Sequence, residues 1–366
     1  MRIKVIVIVL LLIGALFFTE RVGHAYSRAI SAEQAIVIDG NSGRVLFDKN
    51  SDEQRPIASI TKVMTALLAI EYGNLKEKVI VSKEATEVIG SSIYLQPEEQ
   101  ITLEDLLYGL MLRSGNDAAM AIAEHIGGSV EGFVFLMNEK AKYLGMTNTN
   151  FMNPHGLDEE HHYSSAYDIA LLMKHAIQNE TFQKISSTSS YLSANRDYRW
   201  FNKNKLLTHL YPHCTGGKTG FTKRAGRTLV TTAEKEGISL IAVTLNAGDD
   251  WNDHITLYEH YFSNLKPKTL EKKGNRSISL QGDGEREVWI DESIVLPFLD
   301  EEISQLQKQI IVKKTPTTNR IGYLTIELDN KPVMTIPLYE AKPLIVTFFE
   351  EVRGLIPYIV GYDVNG

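Results

Sequence analysis

Ser59-Ile60-Thr61-Lys62 lies within Pro56-Ile57-Ala58-Ser59-Ile60-Thr61-Lys62-Val63-Met64-Thr65. After the proline, Ile60, Val63, Met64, Leu67 and Leu68 recur at three- and four-residue intervals. That period predicts a helix with Ser59 in its first turn. Ser59 and Lys62, three apart, then share one face and come within hydrogen-bonding reach. A lysine can deprotonate such a serine only while its own amine is neutral, a state favoured by burial or by a second cation. Read alone, the pair is a helix cap followed by a solvated lysine.

Two further strings change that reading. Ser114-Gly115-Asn116 interrupts a helical region, and Lys218-Thr219-Gly220 precedes a pair of strands. Each string alone arises often by chance; the three in this order, on matching helix and strand contexts, form the S-x-x-K, S-x-N and K-T-G set of serine enzymes that use lysine as base. Ser59 is the candidate nucleophile and Lys62 the candidate general base, with Lys218 as the expected second cation. Ser114 can pass a proton to a departing amine, and the Asn116 amide can hold Lys62 and meet a substrate peptide group. Lys218 and Thr219 suit a substrate carboxylate. Gly220 completes the string, and the backbone N–H groups of Ser59 and Phe221 are the candidate oxyanion hole.

Outward from these strings, residues 35–39 and 44–47 flank the turn-forming Gly40-Asn41-Ser42-Gly43 and predict a hairpin. Helical periodicity covers residues 102–144 and 166–177, with the polar loop 153–165 between them. Strands follow at 228–232 and 238–245, and a helix at 253–262. The predicted fold class is α+β: an antiparallel sheet built from both ends of a serine peptidase domain, residues 26–263, around a helical insert. Residues 264–275, rich in lysine and poor in apolar groups, read as a linker. Alternating runs at 287–290, 310–312 and 322–328 predict a small all-β domain over 276–342. Residues 343–366 read either as an amphipathic helix lying on a membrane or as a helix docked on its own domain.

At the other end, Arg2 and Lys4 precede an apolar run from Val5 to Phe18 that ends near Gly23-His24-Ala25. This reads as a signal peptide over residues 1–25, against the alternative of an uncleaved anchor, and implies export. Its removal takes away three basic residues and one acidic residue and moves the net charge from -7 to -9. An acidic chain without basic clusters excludes nucleic acid as the expected partner. The single cysteine, Cys214, excludes an internal disulfide, so stability rests on burial of a chain that is 43% hydrophobic. No cofactor or metal is expected: His155, His161 and His162 lie among Asp158, Glu159 and Glu160, but without the helical four-residue spacing of a histidine pair.

Further segments extend the match. The nucleophile stretch 56–65, Asn153-Pro154-His155-Gly156-Leu157 with His162-Tyr163-Ser164-Ser165-Ala166-Tyr167-Asp168, and Gly217-Lys218-Thr219-Gly220-Phe221-Thr222 followed by Ala225-Gly226 resemble the low-molecular-mass penicillin-binding proteins. Within that family the chain looks like the D-alanyl-D-alanine carboxypeptidases, and most like members from spore-forming Gram-positive bacteria. The resemblance implies a β-lactamase-like transpeptidase domain and removal of the terminal D-alanine from peptidoglycan stem peptides through an acyl-serine. It also implies acylation by β-lactam antibiotics and action at the outer face of the cytoplasmic membrane. The alternatives are a β-lactamase, for which no E-x-x-L-N string stands between Asn116 and Lys218, and a non-catalytic wall-binding protein of the same fold. One departure stands out. Many members carry an arginine after the second strand beyond K-T-G to hold the terminal carboxylate, where this chain reads Asn246-Ala247-Gly248-Asp249-Asp250. Carboxylate binding then falls to Lys218 and Thr219, or to another arginine such as Arg227.

Overall fold

The computed structural model describes residues 30–280, 284–312 and 319–341. The expected signal peptide, residues 1–25, and the whole of the expected C-terminal amphipathic segment, residues 343–366, lie outside them. The described residues form two compact units that divide between Ser263 and Asn264.

In the first unit, β1 (Gln34–Asp39) and β2 (Val45–Lys49) form the expected hairpin. Asp39 closes its turn by accepting bonds from the backbone N–H and the hydroxyl of Ser42, at 2.7 and 2.6 Å. The sheet is completed by β3 (Cys214–Thr222), β4 (Gly226–Lys235) and β5 (Ile238–Ala247), all antiparallel, in the order β2-β1-β5-β4-β3. Both ends of the unit therefore meet in one sheet, and β3, which carries Lys218, is an edge strand.

The helical insert packs against this sheet. Helix α1 (Lys62–Tyr72) is buried from Lys62 through Ala69, as a helix that is apolar nearly all round must be. Helices α2 (Asn116–Gly127), α3 (Val130–Tyr143) and α4 (Ala166–Ala176) surround it, the last two capped by Ser129 and Ser165. Ile36, Ile38, Val243 and Leu245 of the sheet share one core with Leu67, Leu68, Ile169 and Leu172. Helix α5 (Asp250–Asn264) follows β5. Among the described residues, no single helix is long and apolar enough to cross a membrane.

The second unit is built mainly of strands. Residues 264–275, expected as a linker, instead contain β6 (Lys266–Glu271), and β7 (Gly274–Leu280) begins within them. Strand β6 pairs with only one neighbour, so four of its six side chains are exposed while Leu270 turns inward; such an edge strand has the composition of a linker. Strands β8 (Gly284–Ile290), β9 (Ile294–Phe298), β10 (Gln307–Val312), β11 (Arg320–Leu328) and β12 (Lys331–Glu340) complete it. They form a five-stranded sheet, β7-β8-β12-β11-β10, and the pair β6-β9, around Val288, Ile290, Phe298, Ile326 and Leu338.

Candidate active site

Ser59 does not sit in the α-helix itself. It occupies a 3-10 turn, Ala58–Thr61, directly ahead of α1, and Ala58 before it has a left-handed backbone, φ 49°. The tighter turn still places Ser59 Oγ 3.0 Å from Lys62 Nζ. Lys62 is wholly buried, and its amine also meets Asn116 Oδ1 at 2.7 Å and the His155 carbonyl at 2.6 Å. A neutral amine has two N–H donors and one lone pair. Two carbonyl-type acceptors match both donors of such an amine, and its lone pair would then face Ser59 Oγ.

Each of those acceptors is fixed in turn. Asn116 begins α2, and its Nδ2 donates to the Ile89 carbonyl at 2.6 Å, which sets the amide so that its oxygen faces Lys62. The His155 carbonyl is presented by the loop before α4. There Gly156 has φ +87°, and a Cβ on it would overlap the carbonyl oxygen of Ala58, so the loop packs directly under the Ser59 turn. His162 accepts from the Met152 N–H through Nδ1 at 3.0 Å, which leaves Nε2 to donate to Thr61 Oγ1 at 2.9 Å. His155 Nδ1 likewise accepts from the Leu157 N–H. Both rings hold the loop as neutral imidazoles: burial first, then the Lys62 charge, lowers His155 to about 3 and His162 to about 4.

The second buried lysine stands on β3. Lys218 Nζ donates to Ser114 Oγ at 3.0 Å and to the Thr219 carbonyl at 2.8 Å. Ser114 ends its helical segment in the left-handed region, φ 63°, which turns the chain sharply between Arg113 and Asn116. Burial is the largest cause holding the Lys62 amine well below the usual lysine range, followed by Lys218 and Lys203. Lys218 is itself lowered to about 7, by burial and then by Lys203.

A cleft of about 430 Å³ opens over these groups, lined by Ser59, Ser91, Ser114, Lys203, Thr219, Gly220, Phe221, Arg227, Asp250 and Trp251. The structure thus brings together all eight sequence-chosen residues: five line the cleft, while Lys62, Asn116 and Lys218 are buried at their hydrogen-bonded partners. Gly220 lies so close to the Ser59 turn that a Cβ there would stand 2.8 Å from the Ser59 backbone nitrogen. Sequence reasoning missed Lys203 and Ser91, whose side chains join across the cleft at 3.0 Å. No local signal marks them; the fold brings them in, with the Ser91 carbonyl accepting from the Asn116 N–H and the Lys203 N–H donating to the carbonyl of Leu112, two residues before Ser114.

An antiparallel sheet with a helical insert, and a serine and two buried lysines meeting at its edge strand, define the class: a serine-type peptidase with the transpeptidase fold of penicillin-binding proteins. The sequence profile described as D-alanyl-D-alanine carboxypeptidase matches residues 21–249. Similar proteins include D-alanyl-D-alanine carboxypeptidase DacF of Bacillus subtilis, 34% identical over 89% of this chain and 90% of that one. DacA of Escherichia coli is 30% identical over 87% and 83%. Penicillin binding protein 5 from Haemophilus influenzae, a solved structure, superposes with a TM-score of 0.72 at 28% identity, over 86% of this chain and 97% of that one. The chain belongs to the D-alanyl-D-alanine carboxypeptidase family.

Proposed function

We propose that this carboxypeptidase removes the terminal D-alanine from peptidoglycan stem peptides by acylation of Ser59. The observation that carries the reading is the contact of Ser59 Oγ with a Lys62 amine whose other two neighbours are both acceptors. Lys62 takes the hydroxyl proton as Ser59 Oγ attacks the penultimate D-alanine carbonyl. The resulting oxyanion is received by the backbone N–H groups of Ser59 and Phe221; the close approach of Gly220 to Ser59 supports that placement. The C–N bond then breaks, and the leaving nitrogen takes a proton from Ser114, which Lys218 can restore because its Nζ already donates to Ser114 Oγ. Water hydrolyses the ester and regenerates Ser59, and exchange with solvent removes the proton that Lys62 gained and replaces the one that Lys218 gave up. Lys218 and Thr219 draw the substrate's carboxylate to the strand edge.

A β-lactam presents a strained amide to the same serine and acylates it. Export by residues 1–25 and action at the outer membrane face fit a wall substrate; they rest on Arg2, Lys4 and the apolar run after them. The test is release of D-alanine from a D-Ala-D-Ala peptide. Wild type releases it, Ser59→Ala does not, and release by the variant would place the chemistry elsewhere.

A further inference from the structure

The turn that carries Ser114 and Asn116 is fastened to a second stretch of chain, residues 89–95, by two neighbouring side chains of α2. Asn116 holds the front of that stretch: its Nδ2 donates to the Ile89 carbonyl and its backbone N–H to the Ser91 carbonyl, both at 2.6 Å. Asp117 holds the rest. Its carboxylate accepts from Ser92 Oγ at 2.5 Å, from the Ile93 N–H at 3.0 Å and from the Leu95 N–H at 3.2 Å, and from the Ala118 N–H on its own helix at 2.9 Å. Ile93 and Leu95 are buried, so without the carboxylate their N–H groups would lose an acceptor away from water.

The fit between the two stretches is close. A Cβ on Gly115 would stand 2.7 Å from Asp117 Oδ1, and one on Gly90, which has φ +100°, would stand 2.7 Å from Asn116 Nδ2. Moving residues 89–95 therefore moves the Asn116 amide. That amide presents its oxygen to Lys62, and the Ile89 carbonyl at Nδ2 is what tells its two ends apart. The charge of Asp117 does not account for its place. Burial, Lys218 and Lys203 lower the Lys62 amine, whereas Asp117 raises it, against the neutral form that a base requires. Its hydrogen bonds do account for it.

We propose that Asp117 is a positioning residue for acylation: by holding residues 92–95 it fixes the Ile89 carbonyl, and through that the Asn116 amide that faces Lys62. It acts through Asn116 and not on the reacting atoms. The inference rests on the acyl-serine reading above.

The experiment is a double-mutant cycle, read as the second-order rate of labelling by a fluorescent penicillin. Asp117→Ala should lower that rate about 10- to 100-fold, the cost of a displacement approaching 1 Å at a group that aligns the reaction. Asp117→Asn, which keeps one oxygen for Ser92 and Leu95 but no charge, should recover part of it. In an Asn116→Ala background, Asp117→Ala should lower the rate by no more than about 2-fold further, because the group it positions is already gone. A wild-type rate in folded Asp117→Ala, or an equal loss in both backgrounds, would overturn the inference. Should thermal unfolding show that Asp117→Ala does not fold, Ser92→Ala takes its place, since it removes only the 2.5 Å bond to the carboxylate. It should slow labelling where Asn116 is present and not where it is Ala; a wild-type rate, or an equal loss in both backgrounds, overturns the inference in the same way. Labelling of Ser59→Ala would instead overturn the acyl-serine reading beneath it.

Discussion

Gly220→Ala separates the geometry of the Ser59 turn from the stability of the sheet. A Cβ at Gly220 would overlap Thr228 Oγ1 and stand 2.8 Å from the Ser59 backbone nitrogen and 3.1 Å from that of Ile60. Thr228 cannot swing aside freely, because its hydroxyl donates to the Ile57 carbonyl at 2.9 Å. To restore an ordinary contact of 3.4 Å, the Ser59 turn and the edge strand must part by about 0.6 Å. Overpacking of this kind costs about 1–3 kcal/mol of stability. A displacement approaching 1 Å at a reacting group costs on the order of 100-fold in rate, so acylation should fall about 10- to 100-fold. The assay is the second-order rate of labelling by a fluorescent penicillin, read beside urea unfolding. Adding Thr228→Ala removes the tightest overlap but leaves the Ser59 contact, so the double variant should regain stability while acylation stays slow. Full recovery of acylation in the double variant would refute the coupling of Gly220 to the nucleophile. So would a wild-type rate in Gly220→Ala.

The remaining expectations concern protons. Lys203 lowers the pKa of both Lys62 and Lys218, so Lys203→Met should raise both and move the acidic limb of penicillin acylation to higher pH; an unmoved limb in a pH–rate profile would show that its charge does not reach Lys62. Lys218 loses its proton as pH rises through about 7, so kcat/KM for a peptide with a free carboxylate should decline above that pH, and a rate flat to pH 9 would mean that the charged form is not needed. His254, buried between Thr231 Oγ1 and Thr244 Oγ1, is lowered to about 3, in the company of His155 at about 3 and His162 at about 4. The unfolded chain therefore binds these protons first, and stability present above about pH 6.5 should be lost progressively toward pH 4, as read by urea unfolding at stepped pH. His254→Gln should flatten that decline.

The parts of this fold that a linear reading recovers are those with a strong local period. Ile60 to Leu68 announced α1, and the runs at 228–232 and 238–245 announced β4 and β5 within a few residues of their ends. Ser59 was expected inside a helical turn but lies in a 3-10 turn behind a left-handed Ala58, because Gly156 and the loop at 153–157 pack beneath it, a long-range contact with no local trace. Strand β6 has the composition of a linker, since Lys266 and Lys268 dominate it and only Leu270 faces the core. At the cleft, the three strings carried five side chains now found hydrogen-bonded in two clusters, around Lys62 and around Lys218. Lys203, Ser91 and Asp250 escaped because each reaches the cleft from a separate loop or helix end, where neither period nor spacing distinguishes a working polar residue from a solvated one. Arg227 could be named from sequence but not placed; its position follows from strand register and from the bulge at Asn246.

Intact-protein mass spectrometry after exposure to benzylpenicillin, followed by peptide mapping, examines the serine directly. One adduct of the full penicillin mass on Ser59 is expected, since opening the ring releases no fragment. An adduct on Ser114 or any other side chain, or none in protein that still releases D-alanine, would contradict the assignment of the nucleophile.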